Sequence, residues 1–267
     1  MSCDVPPHAS VESNSMLKQA SALAPVARAL AARGSLRAAD RDAILDLPHS
    51  VRTLSAGAYV VREGEKPGRC WALLQGFAYR HKIVLNGARQ IVGIHLPGEL
   101  LDLHNSMLEV ADENVQALTS ATVASIPVDA LKALMESRPA VATAILAETL
   151  VDASIFREWM ANIGRRDSRA RMAHLLCELA LRQQAAGIGE PLSYELPMTQ
   201  EQLADTLGLT PVHVNRTLKA LEAESLIRRD RRQLTIEDWS GLVRLGDFSP
   251  AYLCLDKKAA EPARISA

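Results

Sequence analysis

The sequence predicts an α+β chain: an antiparallel β-roll with flanking helices, one long helix, and a C-terminal helix-turn-helix with a β-hairpin wing. Three observations carry this. Gly57, Gly64, Gly76, Gly87 and Gly98 punctuate short apolar runs such as WALLQ, AYRHKIVL and RQIVGIHL, the spacing of strands in an antiparallel barrel or roll. From Pro139 to about Ile163 the chain runs without an internal Gly or Pro until Gly164. Beyond it, TQEQLADTLGLTPVHVNRTLKAL places two capped helical patterns on either side of Gly208, and LIRRDRRQLTI follows as strand, basic turn and strand.

In chain order, residues 1–16 are polar and proline-containing and are expected to be disordered. Residues 17–138 form the first unit, beginning with Ala- and Leu-rich helical segments up to about residue 47. Asn86-Gly87 is the strongest hairpin signal of the β-region. Residues 139–166 are the long helix and hinge. Leu146, Thr149, Ala153, Phe156, Met160 and Ile163 recur on it at alternating three- and four-residue spacing, as in a coiled-coil seam. Such a face packs either on its own core or on a second copy; the helix's length and its exit from the first unit favour a homodimer seam. Gly164-Arg165-Arg166-Asp167 is expected to break it, with Asp167 capping the next helix. The loop AGIGEPLSYE follows, the second unit spans residues 167–255, and residues 256–267 read as a flexible tail.

The chemistry concentrates in the second unit. Thr199-x-x-Gln202 is a capping box, Gly208 suits a left-handed helix end, and Thr210 caps a helix with Pro211 at its first position. On that second helix Val214, Leu218 and Leu221 form the buried stripe, leaving Val212, His213, Arg216 and Lys219 outward. A helix of this kind enters the major groove with its N-terminal part toward the base edges. Arg216 suits a bidentate contact to guanine, Val212 a thymine methyl, and Thr210, His213 and Lys219 suit phosphates. Thr199, Gln200 and Pro211 at the helix starts, and Arg229, Arg231 and Arg232 in the wing, complete the candidate DNA contacts. Residues 164–233 hold 11 Lys or Arg against 9 Asp or Glu, so the basic residues act by clustering rather than by total.

Composition narrows the alternatives. Net charge is −1 over 267 residues, which leaves no bulk attraction to nucleic acid or acidic lipid. Aromatic residues are 4% of the chain, too few for single-strand binding by base stacking. Cys3, Cys70, Cys177 and Cys254 lie far apart, without metal-ligand or disulfide spacing, which fits a reducing cytoplasm. The N-terminus has no apolar signal core, and charges are expected to interrupt every apolar stretch before membrane-spanning length. Nucleophile elbow, phosphate loop, metal-ligand cluster and carboxylate pair are all missing from the sequence, so an enzyme is not expected. The competing reading is a regulatory module whose winged helix docks a protein partner.

MTQEQLADTLGLTPVHVNRTLKALEAESLI (198–227) with its basic wing closely resembles the helix-turn-helix of the bacterial Crp/Fnr transcription regulators. The likeness covers almost the whole chain. The glycine-punctuated region is similar to that family's cyclic-nucleotide-binding-like β-roll, Leu96-Pro97-Gly98-Glu99 to its strand-ending turn, and RRDSRARMAHLL to its hinge and first DNA-domain helix. DWSGLVRLGDFSPAYL resembles a C-terminal extension of one branch. The resemblance implies a homodimer on a palindromic double-stranded site, with Arg216 at the base-reading position and contact to RNA polymerase in activation. Pro211 and Val212 stand where some members keep a charged pair, so the target sequence does not carry over.

The resemblance raises the question of an effector. Gly98-Glu99-Leu100 mimics a ribose-binding Gly-Glu-Leu, but it belongs to the strand-ending turn; the ribose position reads Asp102-Leu103-His104. The phosphate-arginine position reads Ala111-Asp112-Glu113, and no arginine lies between Arg89 and Arg138. Carboxylates there repel a cyclic phosphate, so cyclic AMP is not expected. An iron–sulfur cluster needs several cysteines near the N-terminus, where only Cys3 stands. Haem has only His81, His95 or His104 to use and is not expected, and Cys70 beside Arg69 has no further sign of a redox sensor. No cofactor is predicted, and the effector, if there is one, is an unidentified small molecule or protein.

Overall fold

Two helices, α1 (Ala24–Arg33) and α2 (Ala38–Leu45), precede the first strand of the roll. The computed structural model describes residues 22–255 except Pro67, Glu109 and Pro191, so the expected tails at 1–16 and 256–267 lie outside the described residues. Seven strands follow: β1 (Ser50–Leu54), β2 (Tyr59–Val61), β3 (Arg69–Gln75), β4 (Ala78–Ile83), β5 (Arg89–His95), β6 (Asn114–Ala117) and β7 (Ala121–Pro127). They pair antiparallel in the orders β1-β7-β3 and β2-β6-β4-β5, with the short α3 (Leu103–Met107) between β5 and β6. Asn86-Gly87 does turn the β4–β5 hairpin. Gly87 is left-handed (φ +83°) and donates to the Val84 carbonyl at 2.8 Å, and Asn86 Oδ1 accepts the Ala88 N–H at 2.9 Å.

Gly98 seats the roll on α1. Its φ is +102°, and a Cβ there would lie 2.7 Å from the Pro25 carbonyl oxygen and 2.9 Å from Ala29 Cβ. Only glycine meets both constraints without strain. The turn therefore brings Glu99, the next residue, to a fixed place beneath α1.

After α4 (Val128–Ser137), α5 runs from Pro139 to Arg165. It passes through Gly164, so the break comes after Arg165 rather than at the glycine. A single helical glycine costs only about 1 kcal/mol, less than the packing of so long a helix supplies. One face of α5 buries Val141, Ala144, Ile145, Val151, Ile155 and Trp159. The other leaves Leu146, Leu150, Phe156 and Met160 between 43% and 60% exposed, with Thr149 exposed and Ala153 and Ile163 half-buried beside them. By length and composition α5 is also apolar enough to cross a membrane, contrary to the expectation that charges interrupt every such stretch. Its two central acids are instead paired inside the fold, Glu148 with Arg33 at 2.6 Å and Asp152 with Arg80.

Asp167 caps α6 (Ser168–Ala185), accepting the Arg169 and Ala170 N–H groups at 2.9 Å each. The segment expected as a plain loop contains β8 (Ser193–Glu195). This strand is three residues long, too short for a periodicity signal, and exists through its pairing with β10. Then come α7 (Gln200–Leu207), α8 (Pro211–Ala223), β9 (Ile227–Asp230), β10 (Gln233–Ile236), α9 (Trp239–Gly246) and a 3₁₀ turn at Pro250–Leu253. The sheet order β8-β10-β9 makes the wing three-stranded.

The two halves share one apolar core. Phe77, Tyr79, Ile91, Ile94 and Leu96 of the roll pack in the same cluster as Trp159 of α5 and Met172, Leu175 and Leu179 of α6. At the edge of this contact His81 is 1% exposed, its Nδ1 lacking a hydrogen bond among the described residues. Burial, with Arg89 nearby, pulls its pKa from 6.5 down to about 4. The unfolded chain thus takes up this proton first, and stability present above pH 6.5 is lost as pH falls toward 4. Compared with His81→Gln in urea melts at pH 7, 6 and 5, the wild type should lose relative stability on acidification, at up to about 1.4 kcal/mol per pH unit.

Candidate nucleic-acid interface and its link to the roll

The helix-turn-helix is built by local hydrogen bonds that the sequence dictates. Thr199 Oγ1 accepts the Gln202 N–H at 3.2 Å while Gln202 Oε1 accepts the Thr199 N–H at 2.9 Å, closing the capping box. Gly208 ends α7 in the left-handed conformation (φ 63°, ψ 41°). Thr210 Oγ1 then accepts the His213 N–H at 3.3 Å and starts α8 at Pro211. Val214, Leu218 and Leu221 are buried, at 0–1% exposure, and anchor α8. Pro211, Val212, Arg216 and Lys219 face outward and His213 is half-buried, so one face collects the predicted major-groove residues. Arg216 makes no hydrogen bond or ion pair with any described residue, which leaves its five donors available. Asn215, on the same helix, was not among the predicted contacts; its Nδ2 donates to Gln200 Oε1 at 3.2 Å, tying α8 to the start of α7.

The wing residues are not equivalent. Arg229 is held by two hydrogen bonds to Glu222, at 3.0 and 2.7 Å, and Arg232 stands 3.7 Å from Glu195. Arg231 sits at the tip in a left-handed turn (φ 55°) and pairs with no described residue. Together with Thr199 and Gln200, these three arginines line one cleft of about 250 Å³ between the start of α7 and the wing. A helix N-terminus flanked by guanidinium groups is a site for an anionic oxygen, and a DNA backbone phosphate fits that chemistry.

Buried polar contacts fasten this unit to the roll. Arg182 of α6 donates to the Ile94 carbonyl at 2.7 Å, to Glu99 at 3.0 Å and to Glu178 at 3.1 Å. Glu178, 0% exposed, also accepts from Trp159 Nε1 of the long helix at 2.9 Å and from the Tyr252 hydroxyl at 2.7 Å. Although burial opposes ionisation of Glu99, Arg182 and then His95 beside it outweigh that and hold its pKa at about 2. At a second point Arg89 of β5 grips Asp205 of α7 at 2.7 Å, and Gln90 donates to the Thr206 carbonyl at 3.2 Å. These are side chains far apart in sequence, and no motif announces them.

Within the roll, the polar groups at the expected ribose and phosphate positions are engaged by one another. Glu99, the carboxylate of the Gly-Glu-Leu stretch, is committed to Arg182 and His95. At the phosphate position Glu113 is 8% exposed and acidic. The nearby buried Arg80 is shared between Glu113, at 3.5 Å, and Asp152. Asp102 accepts the Trp71 N–H at 2.6 Å, and burial raises its pKa to about 7.

Arg182 is the test of the link. Arg182→Met removes one cation from between the buried Glu178 and the partly buried Glu99, and a broken buried pair such as Arg182–Glu178 costs about 3–5 kcal/mol. Chemical denaturation should register a loss of that size, and Glu99→Gln in the Arg182→Met background should recover part of it.

The comparisons with known proteins agree with this architecture. Residues 51–138 match the cyclic nucleotide-binding domain family and residues 170–245 the Crp-like helix-turn-helix domain family. The transcriptional activator protein FnrL of Cereibacter sphaeroides is 30% identical over 207 residues, 76% of this chain and 83% of that protein. The nitrogen fixation regulation protein FixK of Rhizobium meliloti is 30% identical over 194 residues, 71% and 83% of the respective chains. The structure of FixK2 from Bradyrhizobium japonicum shares the fold, with a TM-score of 0.68 at 22% identity over 74% of this chain and 98% of that one. With a β-roll, a long connecting helix and an exposed, well-capped recognition helix in one chain, and with relatives of this kind along most of its length, the protein belongs to the Crp/Fnr family and is a DNA-binding transcription regulator.

Proposed function

We propose that the chain acts as a homodimer on a two-fold symmetric DNA site, its two α5 helices packed through Leu146, Leu150, Phe156 and Met160. The observation that carries this reading is the pair of opposite faces on α5: one is sealed in the core while the other exposes four large apolar side chains in register. A contiguous apolar strip of this kind marks an interaction surface, and a two-fold operator makes it self-complementary. Two recognition helices then enter successive major grooves about 34 Å apart. Arg216 reads a base edge, Val212 packs on a thymine methyl, and Thr199, Gln200, Thr210, His213, Lys219 and Arg231 hold phosphates. Relatives named as transcriptional activators favour activation, with RNA polymerase as a partner. Cyclic nucleotides, haem and iron–sulfur clusters play no part in this reading, which leaves any effector to other chemistry.

Two experiments separate the parts of this proposal. Arg216→Ala should weaken binding to the best duplex by about 1–3 kcal/mol and flatten base preference at one position per half-site. Arg231→Ala should weaken all duplexes alike and reduce the salt slope by about 1. Equal loss on every sequence for Arg216→Ala would remove it from base reading. Separately, Phe156→Glu should convert the dimer to monomer in sedimentation velocity while the wing and helix-turn-helix stay folded.

A further inference from the structure

Between α3 and β6 the roll gathers three side chains whose donor atoms face one another. His104 Nε2 lies 3.0 Å from Glu113 Oε1 and 3.7 Å from Asp112 Oδ1, and all three donor atoms fall within 4.8 Å of one another. We propose that His104, Asp112 and Glu113 form a binding site for a divalent first-row transition cation. This site stands on the roll alone and does not depend on the DNA-binding reading.

Geometry and donor type point the same way. Ligands 2.0–2.2 Å from a shared ion stand roughly 3.0–3.4 Å apart at tetrahedral or octahedral angles, close to the spacings His104 makes with its two neighbours. One imidazole nitrogen with two carboxylate oxygens suits ions such as manganese, iron or zinc, while the absence of a thiolate disfavours softer ones. Glu113 is the buried member of the three. The residue is 8% exposed, and its Oε1 is held by ion pairs alone, with His104 at 3.0 Å and Arg80 at 3.5 Å. The nitrogen of His104 and this oxygen stand close enough for both to ligate one ion. Buried carboxylate oxygens in this position are costly unless something binds them. Asp112 has a side chain 69% exposed and forms the open edge, through which an ion enters and water completes the coordination.

The site is wired to the long helix. Arg80 touches Glu113 at 3.5 Å from behind and holds Asp152 of α5 with its other nitrogen. A cation that draws on Glu113 weakens the claim of that carboxylate on Arg80 and leaves the guanidinium to Asp152. Occupancy is thereby linked to an ion pair on the helix whose far face carries the dimer seam. The same arginine also limits the site: its positive charge lowers affinity, so the site is expected to exchange its ion readily rather than trap it.

The test uses the full-length, tag-free, chelator-treated protein. Manganese binding is followed by electron paramagnetic resonance and zinc binding by calorimetry, with circular dichroism melts recorded alongside. The expected result is one readily exchanging equivalent per chain, its affinity weakened by about tenfold or more in Asp112→Asn and in His104→Gln. Because Asp112 is exposed, its variant keeps the measurement interpretable even where His104→Gln fails to fold. Absence of binding by the wild type at millimolar manganese and zinc would overturn the proposal. So would binding that Asp112→Asn leaves unchanged, since the ion would then lie elsewhere.

Discussion

The buried guanidinium of Arg182 is the contact on which the relation between the two halves rests. It faces Glu99 from the roll and Glu178 from its own helix, and it also satisfies the Ile94 carbonyl at the end of β5. A fully buried carboxylate at Glu178 beside a partly buried one at Glu99 is tolerable because one cation and several neutral donors divide their charge. Glu178 spreads its own share to Trp159 on the long helix and to Tyr252 of the C-terminal 3₁₀ turn. Roll, long helix, first helix of the DNA-binding unit and C-terminal segment therefore converge on one polar cluster. A change of angle between the halves has to break or re-pair these bonds together.

Around that cluster the long helix is shaped by opposed demands. Its inner face pairs each of its central acids with an arginine from a different part of the roll unit, Glu148 with Arg33 of α1 and Asp152 with Arg80 of β4. Its outer face is left apolar. The inner pairs fix rotation about the helix axis, so the apolar strip is presented in one orientation.

On the DNA-facing side, charge is rationed by pairing. Arg228, Arg229 and Arg232 each have an acidic neighbour, Glu237, Glu222 and Glu195, whereas Arg216 and Arg231 have none among the described residues. Exposed pairs contribute little to stability, but they hold side chains in place and lower the local charge. The result is a surface whose two uncommitted guanidinium groups sit at the middle of the recognition helix and at the wing tip. That arrangement lets an overall nearly neutral chain meet a polyanion with a small, placed positive field.

The sequence by itself determined whatever depends on neighbours within a few residues. Thr199-x-x-Gln202, Gly208 and Thr210-Pro211 specify where both helices of the helix-turn-helix start and turn, because caps and left-handed turns are satisfied by local backbone groups. Asn86-Gly87 and the three- and four-residue spacing on α5 likewise set the β4–β5 hairpin and the apolar strip. What only the tertiary structure decided involves partners brought together from distant segments. Strand β8 exists through a ladder bond to β10, Glu99 is a structural anion because Arg182 arrives 83 residues later, and Arg229 in the wing is paired by Glu222 of α8. His104, Asp112 and Glu113 look in sequence like scattered polar residues of a loop, and only the fold brings their donor atoms within 4.8 Å of one another. Local hydrogen bonds leave a readable pattern; long-range ion pairing leaves none, because its energy comes from burial that the chain creates only by folding.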